Sequence, residues 1–261
     1  MKVIPPLFVT DAKLTSSSVP ETDATVWSAA TAYALGQLAM RTTGVHRVYR
    51  RLVAGTSAAT PESDPINWLD LGSTNRWRML RADANVRTTG TSPVVILITP
   101  GERISAVGIV GVVADTVKIE QLDATDTVVL TITESLATRI TLTWFDYFFG
   151  DFKFKASFLS LALLPITGSK LRVTLTRAAG DVSCGPVIVG NSVDLGKVQN
   201  GATAGVVDFS TVERDPFGNP VLLKRKAVPR TSQESVITRA QVPAVRQALT
   251  ALGAQCALYV G

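Results

Sequence analysis

VVILITPGERISAVGIVGVVADTVKIEQLDATDTVVLTIT, residues 94–133, is the stretch that decides the fold. Its Val- and Ile-rich runs are short and are separated by Pro, Gly and Asp. β-Branched side chains suit a pleated, half-buried surface, and turn residues between them close one strand before the next begins. The runs read as strands at Val94–Thr99, Ile104–Val113, Thr116–Gln121 and Thr127–Thr133. The rhythm continues through Arg139–Trp144, Lys153–Phe158, Lys170–Thr176 and Cys184–Val189. Strands recurring about every ten to fifteen residues are the sequence signal for a sandwich or jelly roll. Residues 85–190 are therefore expected to form a β-sandwich.

Within that body, WFDYFFGDFKF at 144–154 concentrates seven aromatic rings. Exposed in bulk, such a knot invites aggregation, so it is expected to be core or a covered interface. Downstream, residues 191–261 change character. Val206–Arg214 and Val221–Val228 flank DPFGN, a turn in which Pro fixes φ and Gly-Asn tolerates positive φ, so a hairpin is expected. Ser232–Thr238 reads as a strand. Val242, Val245, Leu249 and Leu252 then fall at helical spacing, Gly253 stops the helix, and Cys256–Val260 reads as a last strand. Strand, helix and strand fit a β-α-β unit, right-handed if the strands are parallel.

Upstream, residues 27–80 form a small aromatic module in which Trp27, Tyr33, Tyr49 and Trp68 are spread over short, Gly-punctuated segments. So small a piece has little core, and large rings are one means of holding it together. The same rings are what sugar-binding modules expose, and the sequence leaves both uses open. Residues 1–26, with Pro5, Pro6, Pro20 and a Ser/Thr/Asp-rich run, read as an extended arm that a neighbour pins down.

Composition excludes several classes. An apolar share of 46% with 18% charged residues describes a folded globular chain rather than a disordered one. The net charge of +5 is scattered apart from Lys224, Arg225, Lys226 and Arg230, and a nucleic-acid domain shows a denser stripe. That cluster reads as a solvated strand face or a charged contact in an assembly. Cys184 and Cys256 are far apart and make neither a disulfide framework nor a zinc site. The N-terminus lacks the apolar region of a signal peptide, and no run approaches the ~20 apolar residues of a membrane span. Synthesis in a cytoplasm is expected.

Catalytic constellations are wanting. His46 is the one histidine, and no nucleophile or orienting acid is marked for it. Asp146 and Asp151 form a carboxylate pair of the kind glycosidases use, but they read more simply as acids at loop ends. No metal cluster or phosphate-cradling glycine loop is present, so neither enzymatic activity nor a cofactor is expected.

Two resemblances add to this reading. W-x5-Y-x2-G at 27–36, the Tyr49 strand and W-L-D at 68–70 resemble the chitin-binding-like modules of carbohydrate-binding families 5 and 12. The matched residues are Trp27, Tyr33, Gly36, Tyr49 and Trp68, and Gln37 departs from the Asp common there. The resemblance implies a three-stranded module, with Trp27, Tyr33, Tyr49 and Trp68 as candidate glycan-binding residues. More broadly, IPPLFVTDAKLTSSSVPET at 4–22, WLDLGSTNRWRML at 68–80 and LGKVQNGATAGVVDFSTVERDPFGN at 195–219 resemble tail or baseplate proteins of tailed bacteriophages. That implies a virion structural protein near the tail tip, assembled as a homo-oligomer with other tail proteins and contributing to host-surface contact. The alternative is a receptor-binding protein that recognises a bacterial surface glycan through the aromatic module.

Overall fold

The computed structural model describes the chain apart from residues 82–85, 139–142, 150–152, 215–216, 226, 254–255 and 261, and apart from the side chains of Asp146, Lys153 and Pro229. The protein is mainly β. It divides into two compact units. One comprises Ile4–Ser192 with Leu252–Leu258, and the other Met1–Val3, Val193–Ala251 and Tyr259–Gly261.

The first unit holds the sandwich. Its larger sheet is antiparallel and runs Val128–Ser135, Thr116–Leu122, Lys170–Thr176, Val94–Ile98 and Leu14–Ser17. Alternation builds it: in Lys170–Thr176 the buried Leu171, Val173 and Leu175 alternate with the more open Lys170, Arg172 and Thr174. The second sheet runs Ser157–Ser160, Ala106–Val110 and Val187–Gly190. Ile96, Ile119 and Leu171 from the first sheet share one core with Val107, Ile109, Phe158 and Val189 from the second. Burying each such side chain contributes about 1.5–3 kcal/mol.

The expected strand Cys184–Val189 is divided. Val182–Cys184 pairs with Thr88–Gly90, whereas Val187–Gly190 joins the second sheet. Pro186 has no N–H for a ladder, and a Cβ at Gly185 would collide with the Val110 carbonyl oxygen. Of the expected strand Arg139–Trp144, residues 139–142 lie outside the described residues, and Trp144 opens a helix, Trp144–Phe149. Its i,i+4 ring pairs are Trp144–Phe148, stacked at 6.4 Å, and Phe145–Phe149 at 5.1 Å. Much of the segment 1–26 is built into the sandwich. Leu14–Ser17 is an edge strand on Val94–Ile98, and Val9, Leu14 and Val19 enter the core.

The aromatic module carries the three antiparallel strands expected, Leu38–Arg41, Arg47–Arg51 and Trp68–Ser73. Thr25–Val26 adds a short parallel strand at the Leu38–Arg41 edge.

In the second unit, Lys197–Val198 pairs with Ser235–Val236, and Lys2–Ile4 with Val193–Asp194. The expected hairpin is a long two-stranded ribbon, Thr203–Val207 on Val228–Ser232 and then Thr211–Arg214 on Pro220–Leu223. Asp215 and Pro216 of its turn lie outside the described residues, and Gly218 has φ +83°. The helix spans Val242–Leu252 as its apolar spacing predicts. Strand, helix and strand follow in the expected order, but Ser235–Val236 and Leu258–Val260 belong to different sheets, so no parallel crossover arises. Among the described residues no helix is long and apolar enough to cross a membrane.

Candidate functional site

The module is assembled from its rings. Register places Ala39, Tyr49 and Arg51 on one face, with Trp68 beside Arg51 on the next strand. Tyr33 joins them from a loop that an isolated bridge to Gly55 holds in place. Its hydroxyl accepts a hydrogen bond from the Ser28 N–H at 2.8 Å, and its ring meets Trp68 edge-on at 5.0 Å. Tyr33, Ala39, Tyr49 and Trp68 are the core of the module, and half-buried Trp27 packs against it.

Arginines close this core. Arg51 is 2% exposed and lies over the Trp68 ring at 4.9 Å, and Arg41 lies over Trp27 at 5.3 Å. Arg41 also pairs with Glu62 at 3.2 Å. The loop below Trp68 is fastened by Asp64, which accepts from Ser57 Oγ at 2.9 Å and Asn67 Nδ2 at 2.8 Å. These bonds, that from Asn67 foremost, hold the Asp64 carboxyl below the usual value. Of the four rings expected as glycan contacts, Tyr33, Tyr49 and Trp68 are thus enclosed, and Trp27 keeps part of its surface open. A pyranose stacks on an open ring face, so in this conformation the accessible ring is Trp27, beneath the Arg41 guanidinium.

His46 is buried at the seam between module and sandwich. Its Nδ1 faces Glu21 Oε1 at 3.0 Å, its Nε2 faces Asp11 Oδ1 at 2.7 Å, and its ring stacks on Trp77 at 4.0 Å. Imidazole donates from both nitrogens only when both carry protons. Glu21 also accepts from Thr74 Oγ1 at 2.7 Å. Burial pushes the Asp11 carboxyl up, but the bonds from His46 and the Gly44 amide outweigh it, and the group is held below its ordinary value. Trp77 lies in the sandwich core, so this cluster ties the N-terminal segment, the module and the sandwich together. Both ring nitrogens are engaged by acids, and neither is directed at a nucleophile.

The other chemical candidates are dispersed. Asp151 and the side chain of Asp146 lie outside the described residues. Cys184 is enclosed, and burial pushes its thiol up to about 12, which leaves it inert. Cys256 is exposed. Lys224, Arg225 and Arg230 are exposed on the ribbon, with Lys226 outside the described residues. No group of three or more His, Cys, Asp or Glu able to hold a metal occurs among the described residues.

Sequence reasoning missed the acids that bind His46 and the arginines that cover the rings. Of these arginines Arg51 had a signal, since it alternates with Tyr49 along one strand and so shares its face. Asp11 and Glu21 had none, being 35 and 25 residues away from His46.

The largest unabsorbed feature is the aromatic helix. Trp144, Phe145, Phe148 and Phe149 are 80, 69, 66 and 72% exposed, and Phe154 nearby in sequence is 54% exposed. Soluble chains rarely leave so many rings exposed together. No protein-family model matches the chain, and no curated protein matches it.

Proposed function

We propose that the chain is a structural component of a bacteriophage tail tip or baseplate, assembled in several copies with other tail proteins in the virion. The observation that carries the assembly role is the exposed aromatic helix Trp144–Phe149. Soluble chains rarely leave a contiguous apolar patch of this kind bare, and an assembly partner covers it. The tail assignment rests on the resemblance of the segments 4–22, 68–80 and 195–219 to tail and baseplate proteins. Host-surface contact belongs to the same reading, as a role of the assembled tip. Gold-labelled antibody against this chain, applied to particles whose genome encodes it, is expected to decorate the tail end. Labelling elsewhere, or of no particle at all, would overturn the proposal.

The alternative is a receptor-binding protein that grips a surface glycan, and Trp27 is the observation on its side. Pull-down with host lipopolysaccharide, comparing the wild type with Trp27→Ala, separates the two. Binding that is lost in a folded Trp27→Ala variant would favour the glycan.

A further inference from the structure

Four of the exposed rings stand on one side of the aromatic helix. At about 100° per residue, Trp144, Phe148, Phe145 and Phe149 fall within about 140° of one another. They make a ridge rather than a flat patch, so what covers them must offer a hollow. This chain has a hollow close by. A pocket of about 360 Å³ is lined by small residues, Ala156, Ala178 and Ala179 among them, with Phe154 in its wall. Phe154 is 54% exposed and follows Phe149 by five residues, a chain reach of at most about 18 Å. Ridge and hollow therefore lie on one stretch of surface.

The pocket selects the ring it takes. Its volume is at the small end of the ~300–1,000 Å³ of ligand pockets, a size for one ring rather than an extended ligand. Asp115 also lines it. The Asp115 Oδ2 accepts from the Ala178 N–H at 2.6 Å, and its Oδ1 has no partner among the described residues. Arg177, the cation of the lining, turns its Nη1 to the Asp181 carbonyl oxygen at 2.7 Å. A mostly apolar hollow with one open acceptor suits a ring that has an apolar body and a donor at its edge. Trp144 is such a ring. It is 80% exposed, Phe148 stacks on it, and its Nε1–H has no partner among the described residues.

Area is sufficient for one contact. Trp144, Phe145, Phe148, Phe149 and Phe154 are 54–80% exposed, and rings of this size leave on the order of 600 Å² open between them. Two such patches meeting face to face bury on the order of 1,200 Å² together, the lower bound for a specific interface.

We propose that the occupant of this patch is a second copy of the chain, related by a two-fold axis. The Trp144 indole of each copy sits in the pocket of the other and donates to the Asp115 Oδ1 there. A two-fold contact uses the same patch on both subunits, so a ridge and a hollow on one patch complete both halves at once. The inference rests on the homo-oligomeric reading above and adds the surface, the symmetry and the ring.

The test uses the full chain in three forms: wild type, Trp144→Ala, which keeps the pocket and lacks the ring, and Ala179→Phe, which keeps the ring and fills the pocket. Both positions are exposed, so both variants are expected to keep the wild-type urea midpoint. Ala178→Phe takes the place of Ala179→Phe if that midpoint shifts. Sedimentation velocity is expected to show a dimer, or an assembly of dimers, for the wild type. Each variant alone should need at least tenfold higher concentration to associate. An equimolar mixture of the two, one of them mass-tagged, should recover a heterodimer, because one ring and one pocket remain matched. A mixture that recovers nothing would overturn the exchange of rings. Association of either variant at the wild-type concentration would overturn this contact and leave the assembly reading standing, as would a wild type that is monomeric alone but joins other tail proteins. A chain that stays monomeric at all concentrations, alone and with those proteins, would overturn both.

Discussion

Tyr33, Tyr49 and Trp68 are 3, 2 and 2% exposed, whereas Trp144, Phe145, Phe148 and Phe149 are 66–80% exposed. Both regions are among the most aromatic in the chain, and they use their rings in opposite ways. In the module, rings come from different segments and converge: two lie on adjacent strands with shared facing, and one arrives from a bridged loop. A small sheet with a loop folded over it can enclose three rings so placed. In the helix, five rings occupy six consecutive positions. Successive helical residues are turned by about 100°, so the five rings spread over about 200° of the circumference, wider than one flat packing surface covers. Ring content alone therefore does not separate enclosed rings from exposed ones; the spacing of the rings along the chain does.

The comparison predicts unequal responses to substitution. Trp68→Ala removes the largest enclosed ring of the module and leaves Arg51 buried over a void. A loss of about 3–5 kcal/mol is expected in urea unfolding followed by tryptophan fluorescence. A loss below 1 kcal/mol would mean that the ring is not core. His46→Ala leaves Glu21 and Asp11 facing each other's vacated partner and unstacks Trp77. It is expected to cost about 2–4 kcal/mol and to increase proteolysis at the module boundary.

Replacing Trp144 and Phe148 together by Ser should leave the folding stability of the isolated chain within about 0.5 kcal/mol of wild type, because little is buried there. The same double variant should lose association with its partners, read by co-sedimentation. Unfolding of the variant would place those rings in the fold instead.

The smallest effect concerns pH. The Asp11 carboxyl is held low in the folded chain, so its contribution is present above the unfolded pKa and is lost as pH falls through the folded one. Asp11→Asn should therefore flatten the acid side of the urea-midpoint profile, below about pH 4. An acid limb that stays as steep would mean that other carboxylates carry it.

The sandwich was legible because its alternation is local: Lys170–Thr176 was read to its end residues, as was the helix Val242–Leu252. The Cys184–Val189 run was not, since its division depends on how closely Gly185 approaches Val110, a contact between distant strands. The helix at Trp144–Phe149 was hidden because aromatic residues favour strands in isolation, and the ring pairs that support it appear only once the turn has formed. The module was legible in its three strands and its ring set. The choice between enclosed and open rings was not, because it depends on Arg51 and on the loop fastened by Asp64. The His46 cluster joins acids from the N-terminal segment to a turn residue with φ +48°, and no local pattern announces it.

Hydroxyl-radical footprinting with mass spectrometry tests the central claim most directly, applied to the dilute isolated chain and to the assembled particle. The account predicts that Trp144, Phe145 and Phe148 are oxidised heavily in the isolated chain and protected in the particle. Tyr33, Tyr49 and Trp68 should be protected in both. Equal oxidation of Trp144, Phe145 and Phe148 in the two states, or ready oxidation of Tyr49 and Trp68 in the folded chain, would contradict it.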